Sequence, residues 1–307
     1  MFNHYRQTMN NVKKKFSIRD LENLSGIKAH TIRIWEKRYD LLSPDRTSTN
    51  IRTYSLSSLQ KLLNITLLYN SGYKISKIAK IPTQNIPLMV REIVAKNSVK
   101  SQAINAFKLA MINFDQTLFM STYNGLLTEK SFREIFKDIF VPLLNELGML
   151  WQTDTISPAH EHFVTNLIRQ KILINTEKLQ HIEPTKIDKV FVPYLPDNEI
   201  HEIGLLYLNY EIVLRGYKSI YLGQTVPLDN LSEVMNYFEN LYFVSYFTVS
   251  PTKDNIDKYI SDFSAIAKDY TNANLWVLGR QTQFINEKSR PTFVKTFSSI
   301  EQILEQL

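Results

Sequence analysis

Cysteine is absent from the 307 residues. That excludes disulfides, iron–sulfur clusters, thiolate metal sites and cysteine nucleophiles, and it points to a cytoplasmic protein. No apolar run approaches the ~18 residues that a membrane-spanning helix needs, so no membrane partner is expected. The opening stretch MFNHYRQTMNNVKKKF is basic but has no apolar core, and it does not read as a signal peptide. Internal repeats, low-complexity tracts, a glycine-rich nucleotide loop and a nucleophile–base arrangement are also missing, so an enzyme is not expected. What remains is an ordinary globular composition, 44% hydrophobic and 21% charged, on a chain long enough for two or three domains.

Charge is unevenly spread. Residues 1–81 hold 15 Lys and Arg against 5 Asp and Glu, whereas the rest hold 21 against 25. A basic module on a mildly acidic body suggests a nucleic-acid head with a separate sensing or assembly part. In the head, residues 17–24 and 29–38 read as two short helices around a turn at Ser25-Gly26. Ser17 can cap the first helix, with Asp20 as its box partner. Ile18, Leu21, Leu24, Ile27, Ile32 and Trp35 form an apolar face at helical spacing. Pro44 and the run DRTSTNIRTY break that pattern and predict a two-stranded wing from about Ser43 to Tyr54. A further helix follows Ser55 and ends near Gly72, and a short one covers about 75–80. Together these segments make a winged helix-turn-helix. Thr31 and Arg33, early in the second helix, suit base edges. Lys37, Arg38, Arg46 and Arg52 suit phosphates, and Tyr39 and Tyr54 can donate hydroxyls to the DNA backbone.

The segment FSIRDLENLSGIKAHTIRIWEKRYDLLSPDRTSTNIRTYS resembles the winged helix-turn-helix of MerR-family transcription regulators. The run IRIWEKRYDLLSPDRT followed by IRTYS carries most of the resemblance. Asn50 stands where that family often has Gly. Asn tolerates positive φ better than most residues, so the wing turn is expected to survive. Metal-sensing members rely on C-terminal cysteines, so mercury or copper sensing is not expected here.

IPTQNIP (81–87) holds two prolines and reads as a linker. Helical periodicity returns from about 88 to 180, with breaks that fit four or five helices and hence a bundle. After Pro184, apolar segments at 189–194, 219–223, 242–249, 274–279 and 292–297 alternate with amphipathic helices. That alternation predicts an open, doubly wound, mostly parallel sheet. The expected fold is therefore mixed: a winged helix-turn-helix over 1–81, a helical bundle over 88–180 and a Rossmann-like α/β domain over 186–307.

Two constellations stand out beyond the head. Trp151 and Glu161-His162 are separated by nine residues, the pair lying on a helix opened by Ser157-Pro158. Alone, these read as a core Trp and two ordinary helix-surface residues. The second is Glu199-Ile200-His201-Glu202-Ile203-Gly204, just after the first predicted strand. It lies at the carboxyl edge of the sheet, where ligands of open α/β folds bind. A carboxylate that holds one ring nitrogen of a histidine can aim the other, and Glu199 suits that role. Gly204 lets the first helical turn approach a ligand. Alone, this fits a polar loop histidine equally well.

Taken in order, the two resemble the cobalamin-binding region of CarH/LitR-type MerR regulators and of methionine synthase. Those proteins pair a bundle bearing Trp-x9-Glu-His with a doubly wound domain bearing Asp/Glu-x-His-x-x-Gly. The resemblance implies His201 as the lower axial ligand of cobalt, with Trp151, Glu161 and His162 on the upper, adenosyl side. It implies that YLGQTVP (221–227) is the second-strand segment, that Ser245 faces the nucleotide tail and that Gly279 opens the fourth-strand loop. Two departures are visible. Gly279-Arg280 replaces the usual Gly-Gly, and Gln152 stands where light-sensing members can carry a second His.

The implied function is transcription regulation. The protein would bind double-stranded operator DNA as a homodimer or homotetramer. Adenosylcobalamin or another cobalamin, and light, would control it through assembly. One alternative is a constitutive MerR-like repressor whose cofactor-free cobalamin-type domain only mediates oligomerisation. A corrinoid-dependent enzyme or carrier is the other, and it has no use for a basic helix-turn-helix.

Overall fold

The computed structural model describes residues 15–94, 100–152, 155–268, 270 and 273–307, without the side chains of 91–94 and 151–152. The chain divides between Ile168 and Arg169 into two compact units.

In the first unit, helix α1 (Ile18–Ser25) opens on the expected capping box. Ser17 Oγ accepts from the Asp20 amide at 3.2 Å, and Asp20 Oδ2 accepts from the Ser17 amide at 2.7 Å. It ends at Gly26, whose φ of +73° turns the chain into α2 (Ala29–Tyr39). Leu21, Leu24, Ile32 and Trp35 are buried on the predicted face. Strands β1 (Lys15–Phe16), β2 (Asp45–Arg46) and β3 (Arg52–Ser55) make a small antiparallel sheet in the order β1-β3-β2. The wing strands are shorter than 43–54 because residues 47–51 form a tight turn. Within it the Thr47 amide donates to Ile51 O at 2.9 Å, and Asn50 takes a φ of +63°. Asn50 thus adopts the left-handed conformation that its place in the pattern demanded. Helices α3 (Leu56–Asn70) and α4 (Ile75–Ile78) complete the head.

The segment 81–87 is not an extended linker. Thr83–Asn85 is a 3-10 turn, and α5 (Ile86–Val94) starts directly after it. Pro87 sits in the first helical turn, where a missing N–H costs nothing, so that proline marks a start and not a break. The bundle continues with α6 (Lys100–Asn113), α7 (Gln116–Leu127), α8 (Phe132–Ile135), α9 (Val141–Gln152) and α10 (Pro158–Glu177). A π-turn, Phe136–Phe140, joins α8 to α9. Pro142 explains it. An α-helical proline would strike the carbonyl four residues back, but here the Val141 amide reaches five residues back to Phe136 O. The buried rings of Phe107, Phe119, Phe136 and Phe140 pack against one another in this bundle, mostly tilted or edge-on.

The second unit holds the α/β fold. Its elements are β4 (Lys186–Pro196), α11 (Ile203–Leu214), β5 (Tyr217–Ser219), β6 (Gly223–Val226), α12 (Leu231–Met235), β7 (Leu241–Tyr246), α13 (Ile256–Ala267), β8 (Ala273–Leu278), β9 (Val294–Phe297) and α14 (Ile300–Leu304). All strand pairs are parallel, in the order β5-β4-β7-β8-β9, with β6 also on β4. The single second strand expected at 219–223 is therefore two short ones, and Gly223 at a φ of +84° stands at the break. One face packs Phe191, Val244 and Trp276 against α11 and α14. The other packs Val192, Phe243 and Val277 against α12 and α13. The sheet is doubly wound, as the alternation of segments implied. Because β4 leads to one face and β7 to the other, a crevice opens at their carboxyl ends.

Candidate functional site

The head carries the first candidate surface. Arg33, Lys37, Arg38 and Arg46 are exposed, and Thr31 and Tyr39 are half-exposed. The Arg38 guanidinium lies over the Tyr39 ring, 5.5 Å from its centroid. Arg46 is held toward the wing turn, its Nη1 donating to Asn50 Oδ1 at 2.6 Å. Arg52 and Tyr54 are placed differently from the expectation. The Tyr54 ring is buried, and its hydroxyl donates to Glu36 Oε1 at 2.5 Å. Arg52 Nε pairs with Glu36 Oε2 at 3.4 Å. Burial first, then the Glu36 hydrogen bond and charge, hold the Tyr54 hydroxyl protonated well above its ordinary range. Tyr54 therefore braces β3 against α2 and cannot reach a DNA backbone. Glu36 is the residue that spacing alone passed over, because its two partners come from the next element.

The second candidate lies at the β4/β7 crevice. Strand β7 ends at Tyr246, short of the predicted 249, and this leaves the next amides available. Glu199 Oε2 accepts from the amides of Thr248, Val249 and Ser250 at 3.0, 2.6 and 2.9 Å. Oε1 accepts from the amides of Ile200 and His201 at 3.0 and 3.1 Å, and from His201 Nδ1 at 2.6 Å. One fully buried carboxylate thus ties the loop after β4 to the loop after β7. Burial pushes its pKa up, but the bonds from His201 and from the amides of Val249, Ser250 and His201 outweigh it, leaving a value of about 2. Glu199 is an anion at any physiological pH. It holds Nδ1 of the ring, which is 55% exposed, and so sets the direction of the imidazole. An imidazole oriented by a carboxylate in this way is a suitable ligand type for a transition metal such as cobalt.

The remaining residues of the proposed lower side do not all converge. Gly204 lies against Tyr246, whose ring stands 2.7 Å from where a Cβ would be. Tyr246 packs on the α11/α14 face. Ser245 points to the opposite face and is fully buried. Its hydroxyl reaches no partner at hydrogen-bond geometry, although it lies near enough to influence the buried Tyr194 hydroxyl. Gly204 and Ser245 therefore do not line one slot in this structure, because neighbouring strand residues alternate between faces. Gly279 adopts φ +110° and ψ 173°, and a Cβ there would stand 2.6 Å from Phe247 O. Only glycine fits. Arg280 follows it as an exposed residue on a 3-10 turn, Arg280–Phe284.

The upper-side residues belong to the first unit. Glu161 and His162 sit in the first turns of α10 and pair with each other, Oε2 to Nδ1, at 3.0 Å. His162 is exposed and Glu161 half-exposed. The side chains of Trp151 and Gln152 lie outside the described residues. Ser157 does open α10, but its hydroxyl meets His160 Nδ1 at 2.9 Å. His160 itself stacks on Phe114 at 4.8 Å, and burial lowers its pKa.

Residues 16–84 match the model of the MerR HTH family regulatory proteins, and residues 103–174 match that of the B12 binding domain. The chain joins a MerR-type helix-turn-helix to a B12-binding-type domain. It is similar to the HTH-type transcriptional repressor CarH of Myxococcus xanthus, at 25% identity over 73% of this chain and 75% of that protein. It is also similar to the repressor CarA of the same organism, at 24% identity over 68% of each. Among solved structures, the monomethylamine corrinoid protein of Methanosarcina barkeri superposes with a TM-score of 0.51 at 12% identity. That match covers 71% of this chain and 97% of that one, and it supports the shared fold. No helix among the described residues is long and apolar enough to cross a membrane.

Proposed function

We propose that this chain is a transcription regulator whose hold on operator DNA answers to adenosylcobalamin. The observation that carries the reading is the Glu199–His201 pair at the β4/β7 crevice, in a chain that begins with a MerR-type head. In this reading residues 1–81 bind DNA through Thr31, Arg33, Lys37, Arg38, Tyr39 and Arg46. Residues 186–307 supply the lower ligand, His201, oriented by Glu199. Trp151, Glu161 and His162, within 88–180, serve the adenosyl side. A bound adenosylcobalamin supplies a cobalt–carbon bond that visible light cleaves.

Assembly is the natural output. A two-fold dimer or a tetramer reads repeated half-sites one DNA turn apart or a multiple of it. A ligand shifts such an equilibrium only by its difference in affinity for the two states. Moving a population from 1:99 to 99:1 needs ~5.5 kcal/mol, which coupling across several protomers can supply. The test is size-exclusion chromatography with a DNA shift assay, with and without adenosylcobalamin, in darkness and after green light. Cofactor-dependent elution and DNA affinity are expected. Identical behaviour in all four conditions would leave the constitutive, cofactor-free repressor as the correct reading.

A further inference from the structure

His201 is anchored from both sides. Glu199 fixes its ring, and Glu202, the next residue, is fixed in turn by a second set of partners. The Glu202 carboxylate is buried, with its side chain only 8% exposed. Its Oε1 accepts from Arg169 Nε at 2.5 Å, and its Oε2 accepts from the Tyr221 hydroxyl at 3.1 Å. Burial first, and then the Glu202 charge, keep the Tyr221 hydroxyl protonated far above its ordinary range. Both oxygens thus have permanent donors. The same loop is pinned once more by Gln224 Nε2 on Ile200 O at 3.2 Å.

Arg169 is on α10, seven residues beyond His162. Seven residues are two helical turns, so the two side chains leave α10 on the same face. We propose that Arg169, Glu202 and Tyr221 form a positioning clasp that holds the His201 loop to the Arg169 turn of α10, setting how firmly His201 ligates a cobalamin. The proposal rests on the cobalamin reading above.

The test uses the full chain with the substitutions Arg169→Met, Glu202→Gln, Tyr221→Phe and the Arg169→Met/Glu202→Gln pair. Hydrogen exchange of the cofactor-free protein is read first. The amides of Ile200 and His201, which bond to Glu199, should exchange several-fold faster in the first two variants. Adenosylcobalamin is then titrated, and histidine ligation is followed by the nitrogen splitting in the paramagnetic resonance of the cobalt(II) form. Each single substitution should weaken binding about 10–100-fold and lower the histidine-ligated fraction, as changes behind a metal ligand do. The double variant should be no worse than either single one, since one removed partner already breaks the pair. Tyr221→Phe is the mild variant if Glu202→Gln does not fold. Unchanged exchange, unchanged ligation, or losses that simply multiply in the double variant would overturn the clasp. If the unsubstituted protein takes up no corrinoid, the cobalamin reading fails, and the exchange experiment alone still decides whether the clasp holds the loop.

Discussion

Replacing Glu199 by Gln is the sharpest perturbation of the crevice. The carboxylate accepts six N–H bonds, three on each oxygen. A glutamine keeps one oxygen and turns an NH2 group toward the other three donors. A buried donor left unpaired costs about 1–3 kcal/mol, partly relieved by small shifts. The depressed pKa of the carboxyl points the same way. A carboxyl held at about 2, against an ordinary value near 4.5, corresponds to about 3 kcal/mol of stabilisation at neutral pH. Both figures rest on the same bonds, and the variant should melt roughly 6–12 °C lower at pH 7, taking about 2–4 °C per kcal/mol. The sign of the pH dependence follows from the depressed pKa. The stabilisation is complete above about pH 4.5 and fades as pH falls toward 2, so at about pH 3 the gap should be near half its neutral value. Urea unfolding of both proteins at pH 7, 5 and 3, followed by circular dichroism, measures it. A gap under ~1 kcal/mol at pH 7, or one that does not shrink with acid, would refute this account of how the two loops are tied.

Four further substitutions test other parts. Tyr54→Phe removes the hydroxyl bonded to Glu36, so it should cost the head about 0.5–1.5 kcal/mol in thermal unfolding. It should leave the salt dependence of DNA binding unchanged, whereas Arg46→Ala should reduce that slope by about one, as for a lost phosphate contact. Gly279→Ala forces a side chain onto the Phe247 backbone at a φ of +110°, so a loss of about 1–3 kcal/mol or more is expected in the melting of the α/β unit. Thr155→Val removes the buried hydroxyl that donates to Asp20 Oδ1 at 3.3 Å, between the loop after α9 and the first helix of the head. A cost of about 1 kcal/mol is expected, with faster hydrogen exchange at the start of α1; unchanged exchange there would show that this contact does not brace the head.

Much of this was legible in the order of residues because the interactions involved are local. Ser17 and Asp20 are one helical turn apart, Asn50 must turn the wing within its own five residues, and Glu199 and His201 are two residues apart in one loop. Spacing announces such pairs, and composition announced the basic head. Alternating apolar segments likewise indicate a doubly wound sheet, because each segment's period is a local property. The partners that complete the site come from elsewhere. The amides of Thr248, Val249 and Ser250 meet Glu199 only because β7 lies beside β4 and stops at Tyr246. Backbone donors also carry no residue-type signature. Arg169 and Tyr221 converge on Glu202 from α10 and from the stretch between β5 and β6. Ser245 and Gly204 match a motif in sequence, yet the pleat of β7 sends Ser245 to the face away from Gly204. Tyr54 fits a pattern of hydroxyl donors to DNA, but the packing of β3 on α2 gives that hydroxyl to Glu36. Chain order determines which groups are available, and strand order and side-chain alternation decide which of them meet.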